Sequence, residues 1–144
     1  RLSQSEKYGL LEAQVLMSNQ FKDYERQRGF LVQILGPAAT IWASEKMQRA
    51  ISSPDEMISY LGAKVLRGEE EDDEDPSRLN RSQLSFCLHT MEAVLRRSRW
   101  PSKLEVAKSK GFVVGYTSSG AAIYRNPCCE EILKHLDSLL SLVR

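Results

Sequence analysis

Cations and carboxylates are the most conspicuous chemistry in this sequence. Arg96, Arg97 and Arg99 crowd the end of an apolar-striped segment, just ahead of Trp100 and Pro101. Two roles fit them. They can neutralise the negative end of a helix, or they can be candidate phosphate contacts, where each neutralised phosphate steepens the salt dependence of binding. Residues 69–75, Glu-Glu-Glu-Asp-Asp-Glu-Asp, are seven consecutive acids. Self-repulsion predicts an extended, solvated loop there. The same charge would suit docking of a basic partner, or steering of RNA towards basic surface. The run lacks the glycine and spaced ligands of an EF-hand. Trp42 and Trp100 suit either a core or a base-stacking platform, and core anchorage is the expectation for both.

Convergent reactive groups are scarce. The sequence holds no G-x-S-x-G, no H-E-x-x-H and no G-x-x-x-x-G-K-[ST]. Gly115-Tyr116-Thr117-Ser118-Ser119-Gly120 loosely suggests a phosphate loop, but no lysine follows it and no parallel-strand context surrounds it. A surface turn is expected there, and a nucleotide-dependent enzyme built on 115–120 is a distant rival. Cys87, Cys128 and Cys129 contain no C-x2-C pair, and only His89 and His135 could join them. No metal site and no cofactor is therefore expected. Reduced thiols of a nuclear or cytoplasmic protein are the natural reading, with Cys87 in a core stripe.

The elements that must position these groups are helical. Leu11, Val15 and Ser18 recur at helical steps within residues 3–20. Residues 25–51 are the most periodic segment. Phe30, Ile34, Ala38 and Ile41 form one line and Leu31, Leu35 and Trp42 the next, with a kink or short break expected at Gly36-Pro37. Ser53-Pro54-Asp55-Glu56 starts a short helix to about residue 63. A long helix from about residue 78 carries Leu84, Leu88, Met91 and Leu95, with Cys87 and Val94 alongside, and ends before Trp100-Pro101. Residues 102–110 form a further short helix closed by Gly111. Residues 112–116 and 121–124 read as a small hairpin or an extended loop. Asn126-Pro127 caps a last helix to about residue 143, with Ile132, Leu136, Leu139 and Val143 as its seam.

With 144 residues, 42% hydrophobic and 27% charged, the chain suffices for one folded domain. Twenty Lys and Arg against 19 Asp and Glu give a net charge of +1, which neither predicts nor excludes an RNA partner. No apolar run approaches the roughly 20 residues that cross a bilayer. The start at Arg1 and the end at Arg144 suggest a section cut from a longer polypeptide. Periodicity alone fits either a helix bundle or helical-hairpin repeats, and no consensus repeat stands at a fixed period.

Several stretches share one likeness. They are Ser18-Asn19-Gln20-Phe21-Lys22 with Tyr24-Glu25-Arg26-Gln27, Leu79-Asn80-Arg81 with Ser85-Phe86-Cys87, and the block from Gly111-Phe112-Val113-Val114 through Gly120, later joined by Arg125-Asn126-Pro127-Cys128. Together they closely resemble the middle of the exportin-5 family of karyopherins, nuclear export receptors of the importin-β superfamily. The seven acids depart from what that family leads one to expect. The resemblance implies an all-α fold, an interior section of a HEAT-repeat superhelical solenoid with one acidic loop and one hairpin-like loop. Its helix pairs would fall at about 3–51, at 54–98 with the acidic loop 69–75, and at 102–143 with the loop 111–126. It also implies export of precursor microRNA hairpins and other structured double-stranded RNA together with Ran-GTP. The receptor would shuttle between nucleus and cytoplasm, meet nucleoporins through other parts of its chain, and bind no membrane.

In that family the RNA stem lies in a basic cradle and its two-nucleotide 3′ overhang enters a basic tunnel. This is recognition of A-form shape and ends, as suits RNA's unreadable major groove. Carried over motif by motif, the overhang contacts would be Ser3 and Gln4 of Leu2-Ser3-Gln4, Glu74 of Glu74-Asp75-Pro76, and Arg81 of Leu79-Asn80-Arg81. Arg81 is the strongest of these, since arginine binds phosphate bidentately. The alternative is a protein-binding helical scaffold whose acidic loop docks basic partners without RNA contact.

Overall fold

The computed structural model describes residues 1–62 and 75–143. The acidic run from 69 to 74 lies outside the described residues. Helix α1 (Gln4–Ser18) opens on a reciprocal cap: Ser3 Oγ accepts the Glu6 N–H, and the Glu6 carboxylate accepts the Ser3 N–H at 2.6 Å. A 3-10 turn (Asn19–Phe21) and a left-handed Lys22 reverse the chain. Asp23 then caps α2 (Tyr24–Trp42) by accepting the Arg26 N–H. Of the two apolar lines expected on α2, Leu31, Leu35 and Trp42 are buried, while Ile34 and Ile41 flank them half-covered.

Proline 37 does not break α2, which runs on to Trp42. Of the kink or short break expected at Gly36-Pro37, the break is absent and falls instead at Ala43-Ser44, where Ser44 caps α3 (Glu45–Ile51) by accepting the Met47 N–H. The proline ring clashes with the Cβ of the residue before it, and Gly36 has none. The lost backbone bond is offset by burial of Leu35 and Ala38 on either side.

Helix α4 (Pro54–Leu61) starts as expected, with Ser53 accepting the Glu56 N–H and Pro54 in the first turn. It ends at Gly62, φ 88, where a Cβ would lie 2.8 Å from Ser77 Oγ. Only glycine lets the end of α4 meet the start of α5 (Ser77–Arg97) so closely. Helix α5 runs parallel to α1, because Tyr8 meets Ser85 and Glu12 meets Arg97 further along. It runs antiparallel to α2, because Ala38 meets Cys87 while Gln27 meets Arg99. Its expected seam is rotated: Cys87, Met91 and Val94 are buried, whereas Leu88 and Leu95 are 38% and 44% exposed.

Helix α6 (Leu104–Ser109) closes at Gly111, φ 84. The next segment is a hairpin rather than a loop. Strands β1 (Val113–Tyr116) and β2 (Ala122–Tyr124) pair antiparallel, with an irregularity between Val113 and Gly115. The expected single last helix is two, α7 (Cys129–Leu133) and α8 (Leu136–Ser141), broken at Lys134-His135. The break lets Ser138 Oγ reach the Trp42 indole Nε1–H at 2.8 Å. It also turns half the expected seam outward, so Leu136 and Val143 are exposed while Ile132 and Leu139 reach the core.

The main core joins α1, α2, α3, α4 and α5 with the end of the chain. A smaller core of Tyr24, Ala107 and Phe112 fixes the hairpin to α2. The fold is thus mostly helical with one small hairpin. Among the described residues no helix is long and apolar enough to cross a membrane.

Burial pushes the Cys87 and Cys128 thiols up to about 11, while Cys129 is exposed. With so little thiolate at pH 8, alkylation of the folded chain should mark Cys129 alone, and Cys87 and Cys128 only after unfolding. Peptide mass spectrometry after iodoacetamide treatment checks this. Equal labelling of all three in the native chain would contradict the burial of these thiols.

Candidate nucleic-acid interface

Parallel packing of α1 on α5 determines which candidate contacts share an end. Tyr8 Oη donates to Ser85 Oγ at 3.0 Å, and its ring stacks on His89 with centroids 4.2 Å apart. Gln4 stands one turn before Tyr8 and donates its Nε2–H to Tyr8 Oη at 2.9 Å. Arg81 stands one turn before Ser85. Gln4 and Arg81 therefore lie at the same end of the α1–α5 pair, with Ser3 beside them as the cap. Glu74 lies outside the described residues.

Arg81 is firmly held there. Its Nη1 donates to the Leu61 carbonyl at 2.8 Å and pairs with Asp75 Oδ2 at 3.0 Å, each side chain only 14% exposed. Asp75 is itself positioned by the Ser77 N–H, which bonds Oδ1 at 2.9 Å. That backbone bond, with Arg81 adding to it, holds the Asp75 carboxyl below its usual range. The Ser3 N–H likewise lowers Glu6. Glu6 therefore remains an acceptor for the α1 cap into mildly acid solution.

The three arginines closing α5 have protein partners. Arg96 pairs with Glu92 at 2.9 Å and Arg97 with Glu12 at 3.2 Å, while Arg99 Nη1 donates to the Ser98 carbonyl. A polar stitch, partly open to solvent, fixes their backbone. Asn19 Nδ2 donates to the Arg97 carbonyl, and Asn19 Oδ1 accepts from the Arg99 N–H and from Gln27 Nε2, which also reaches the Arg99 carbonyl. Gln27 is fully buried. Ion pairing to Glu92 and Glu12 thus adds to the dipole role weighed for this cluster.

The two tryptophans differ. Trp42 is a core anchor, with no exposed surface. Trp100 corrects the expectation: it is 38% exposed and stacks on Tyr124 of β2, centroids 5.5 Å apart and planes at 14°. The chain leaves α5 at the buried Ser98, which carries Trp100 outward over the hairpin. In the 115–120 turn the Thr117 and Gly120 N–H groups are spent on the Ala121 and Thr117 carbonyls, and the Ala121 N–H meets Thr117 Oγ1. That leaves little of a phosphate loop.

The sequence reading missed Asp75 as the partner of Arg81, and it missed the Tyr8, Ser85 and His89 cluster. The four-residue spacings Gln4 to Tyr8 and Arg81 to Ser85 were the available signal, since such residues share a helix face. Nothing local could have paired the two helices. Among the described residues, no group of three or more His, Cys, Asp and Glu gathers as a metal site would require.

A model of the Exportin-5 family matches residues 1–144. Exportin-5 of Mus musculus is 55% identical over 143 residues, which is 99% of this chain and 12% of that protein. Exportin-5 of Homo sapiens is 52% identical over 143 residues, with the same coverage. Exportin-5 of Dictyostelium discoideum is 26% identical over 144 residues, again 12% of its length. The chain spans about an eighth of the length of the relatives it matches, and the matches cover 99% of the chain. It belongs to the Exportin-5 family.

Proposed function

We propose that this chain is a section of a nuclear export receptor that binds structured RNA together with Ran-GTP and carries it from nucleus to cytoplasm. In this reading residues 3–51, 54–98 and 102–143 are consecutive HEAT-type units of a longer superhelix. Exposed apolar residues on α1 (Leu10, Leu16, Met17) and α8 (Leu136, Leu140) suit packing against neighbouring units. The section catalyses nothing. RNA and Ran-GTP each favour the same closed superhelix, so each strengthens binding of the other.

One observation carries the RNA contact: Gln4 and Arg81, far apart in sequence, sit at one end of α1 and α5, linked through Tyr8 and Ser85. Their chemistry suits the unpaired end of an RNA stem. Gln4 and Ser3 can bond sugar hydroxyls or base edges, and Arg81 can bind phosphate. In the RNA-free chain the Asp75 carboxylate occupies the anion position at Arg81 Nη1. A phosphate oxygen takes that place when RNA binds.

The test uses the full receptor with Ran-GTP, comparing a hairpin carrying a two-nucleotide 3′ overhang with its blunt form across a salt series. Arg81→Ala should remove about 1 kcal/mol or more of the overhang preference. Asp75→Asn, which relieves the competition at Nη1, should preserve or increase that preference. Equal discrimination by wild type and Arg81→Ala would make Arg81 a purely structural link between α4 and α5.

A further inference from the structure

The opposite end of α5 carries a second surface that the overhang site does not use. Residues 96–110 hold six Lys and Arg against one acid, Glu105. Two backbone contacts gather further charge there. The Arg99 N–H bonds Asn19 in the α1–α2 turn, and the Tyr24 N–H bonds the Lys110 carbonyl. Lys22 of that turn, Arg99, Lys103, Lys108 and Lys110 therefore crowd one exposed end. None of the five forms an ion pair among the described residues. The nearby acids on α1 and α2 are engaged: Glu12 with Arg97, Asp23 with the Arg26 N–H, and Glu25 with Arg125.

Aromatic rings are interleaved with these cations. Trp100, between Arg99 and Lys103, stands exposed on the face of Tyr124, and Lys108 Nζ lies 5.7 Å from the exposed Tyr116 ring. Arg125 locks the hairpin in place, its guanidinium 3.4 Å from the Tyr24 ring centre and its Nε–H on the Gly111 carbonyl at 2.7 Å. The aromatic platform is thus held on a rigid base. Lysines alone would accept any polyanion. An exposed, pre-stacked indole among them matches unpaired bases, whose faces a duplex hides and an acidic peptide lacks.

We propose that this end of the section binds a single-stranded stretch of RNA, with Lys103, Lys108, Lys110, Arg99 and Lys22 on its phosphates and Trp100 stacked on a base. The surface rests on the RNA-receptor reading above and extends it to a second site, beyond the end of α5, which lies about 24 Å from Arg81 at about 1.5 Å per residue. It would take unpaired RNA that flanks a stem, independently of the overhang.

The experiment uses the full receptor with Ran-GTP and four probes: a fluorescent 12-nucleotide oligouridylate, an overhang hairpin, the same hairpin with a 12-nucleotide unpaired extension, and polyglutamate. Wild type should bind the extended hairpin about tenfold more tightly than the plain one. Lys103→Ala/Lys108→Ala/Lys110→Ala should abolish that gain and flatten the oligouridylate salt slope by about 2, at roughly 0.7 per phosphate contact. Trp100→Ala should weaken the oligouridylate about fivefold or more, with Trp100→Phe keeping most of the affinity. All these variants should retain overhang discrimination, whereas Arg81→Ala should lose it and keep the gain from the extension. Failure of one site is thereby distinguishable from failure of the other. No gain from the extension, or wild-type binding by the triple variant, overturns the proposal. So does loss of polyglutamate binding in the lysine variant with no effect of Trp100→Ala, which would make the face a dock for acidic protein.

Discussion

Trp42→Ala is expected to lower the stability of the folded chain by about 3–5 kcal/mol, the range for removing a fully buried aromatic side chain. Trp42 has no exposed surface, ends the seam of α2, and gives its indole N–H to Ser138 on α8. Its loss opens a cavity where α2, α3 and the end of the chain meet, and it leaves Ser138 without its donor. Domain stabilities total only about 5–15 kcal/mol, so the variant should be largely unfolded near physiological temperature. Trp42→Phe fills most of the space and forfeits the Ser138 bond, a smaller cost of about 1–2 kcal/mol. Urea denaturation of the three chains checks the order. A loss below about 1 kcal/mol for Trp42→Ala would mean that α8 is not held through this contact.

Phe112→Ala should cost a similar 3–5 kcal/mol, but locally. Phe112 is fully buried, sets its edge against Tyr24 at 5.7 Å, and exchanges backbone bonds with Ala107 and Arg125. It belongs to the small core rather than the main one. Amide hydrogen exchange should therefore accelerate between about residues 107 and 125, with the Leu31–Leu35 stretch of α2 unchanged. Uniform acceleration would show instead that the two cores unfold as one. The RNA binding proposed for the Trp100 face should fall with the local change, because Tyr124 would lose its support.

Local signals were easiest to read where a single helix decides the outcome. The Ser53-Pro54 start and the Leu31, Leu35 and Trp42 line depend on caps and periodicity within one element, and both match the fold. Misreadings arose where partners distant in sequence intervene. The outward turn of Leu88 and Leu95 is set by which face of α5 meets α2, and many apolar positions on α5 offered more than one possible stripe. The division of the last helix goes with the bond between Trp42 and Ser138, a contact no local pattern announces. Pro37 has the mirror-image explanation, a local breaker overruled by burial on both sides. At the candidate site, resemblance singled out Arg81, but its ion pair with Asp75 was concealed inside a run of acids that looked uniformly solvated.

The long-range closure of this fold has a consequence for its synthesis. Ala38 and its partner Cys87 are 49 residues apart, and Trp42 waits 96 residues for Ser138. Translation at about 5–20 residues per second leaves the apolar seam of α2 uncovered for ~2–10 s before α5 follows, and the indole waits ~5–20 s. A nascent chain of this section therefore presents the apolar seam of α2 well before its cover arrives, and chaperones that bind exposed apolar segments have a defined interval in which to act.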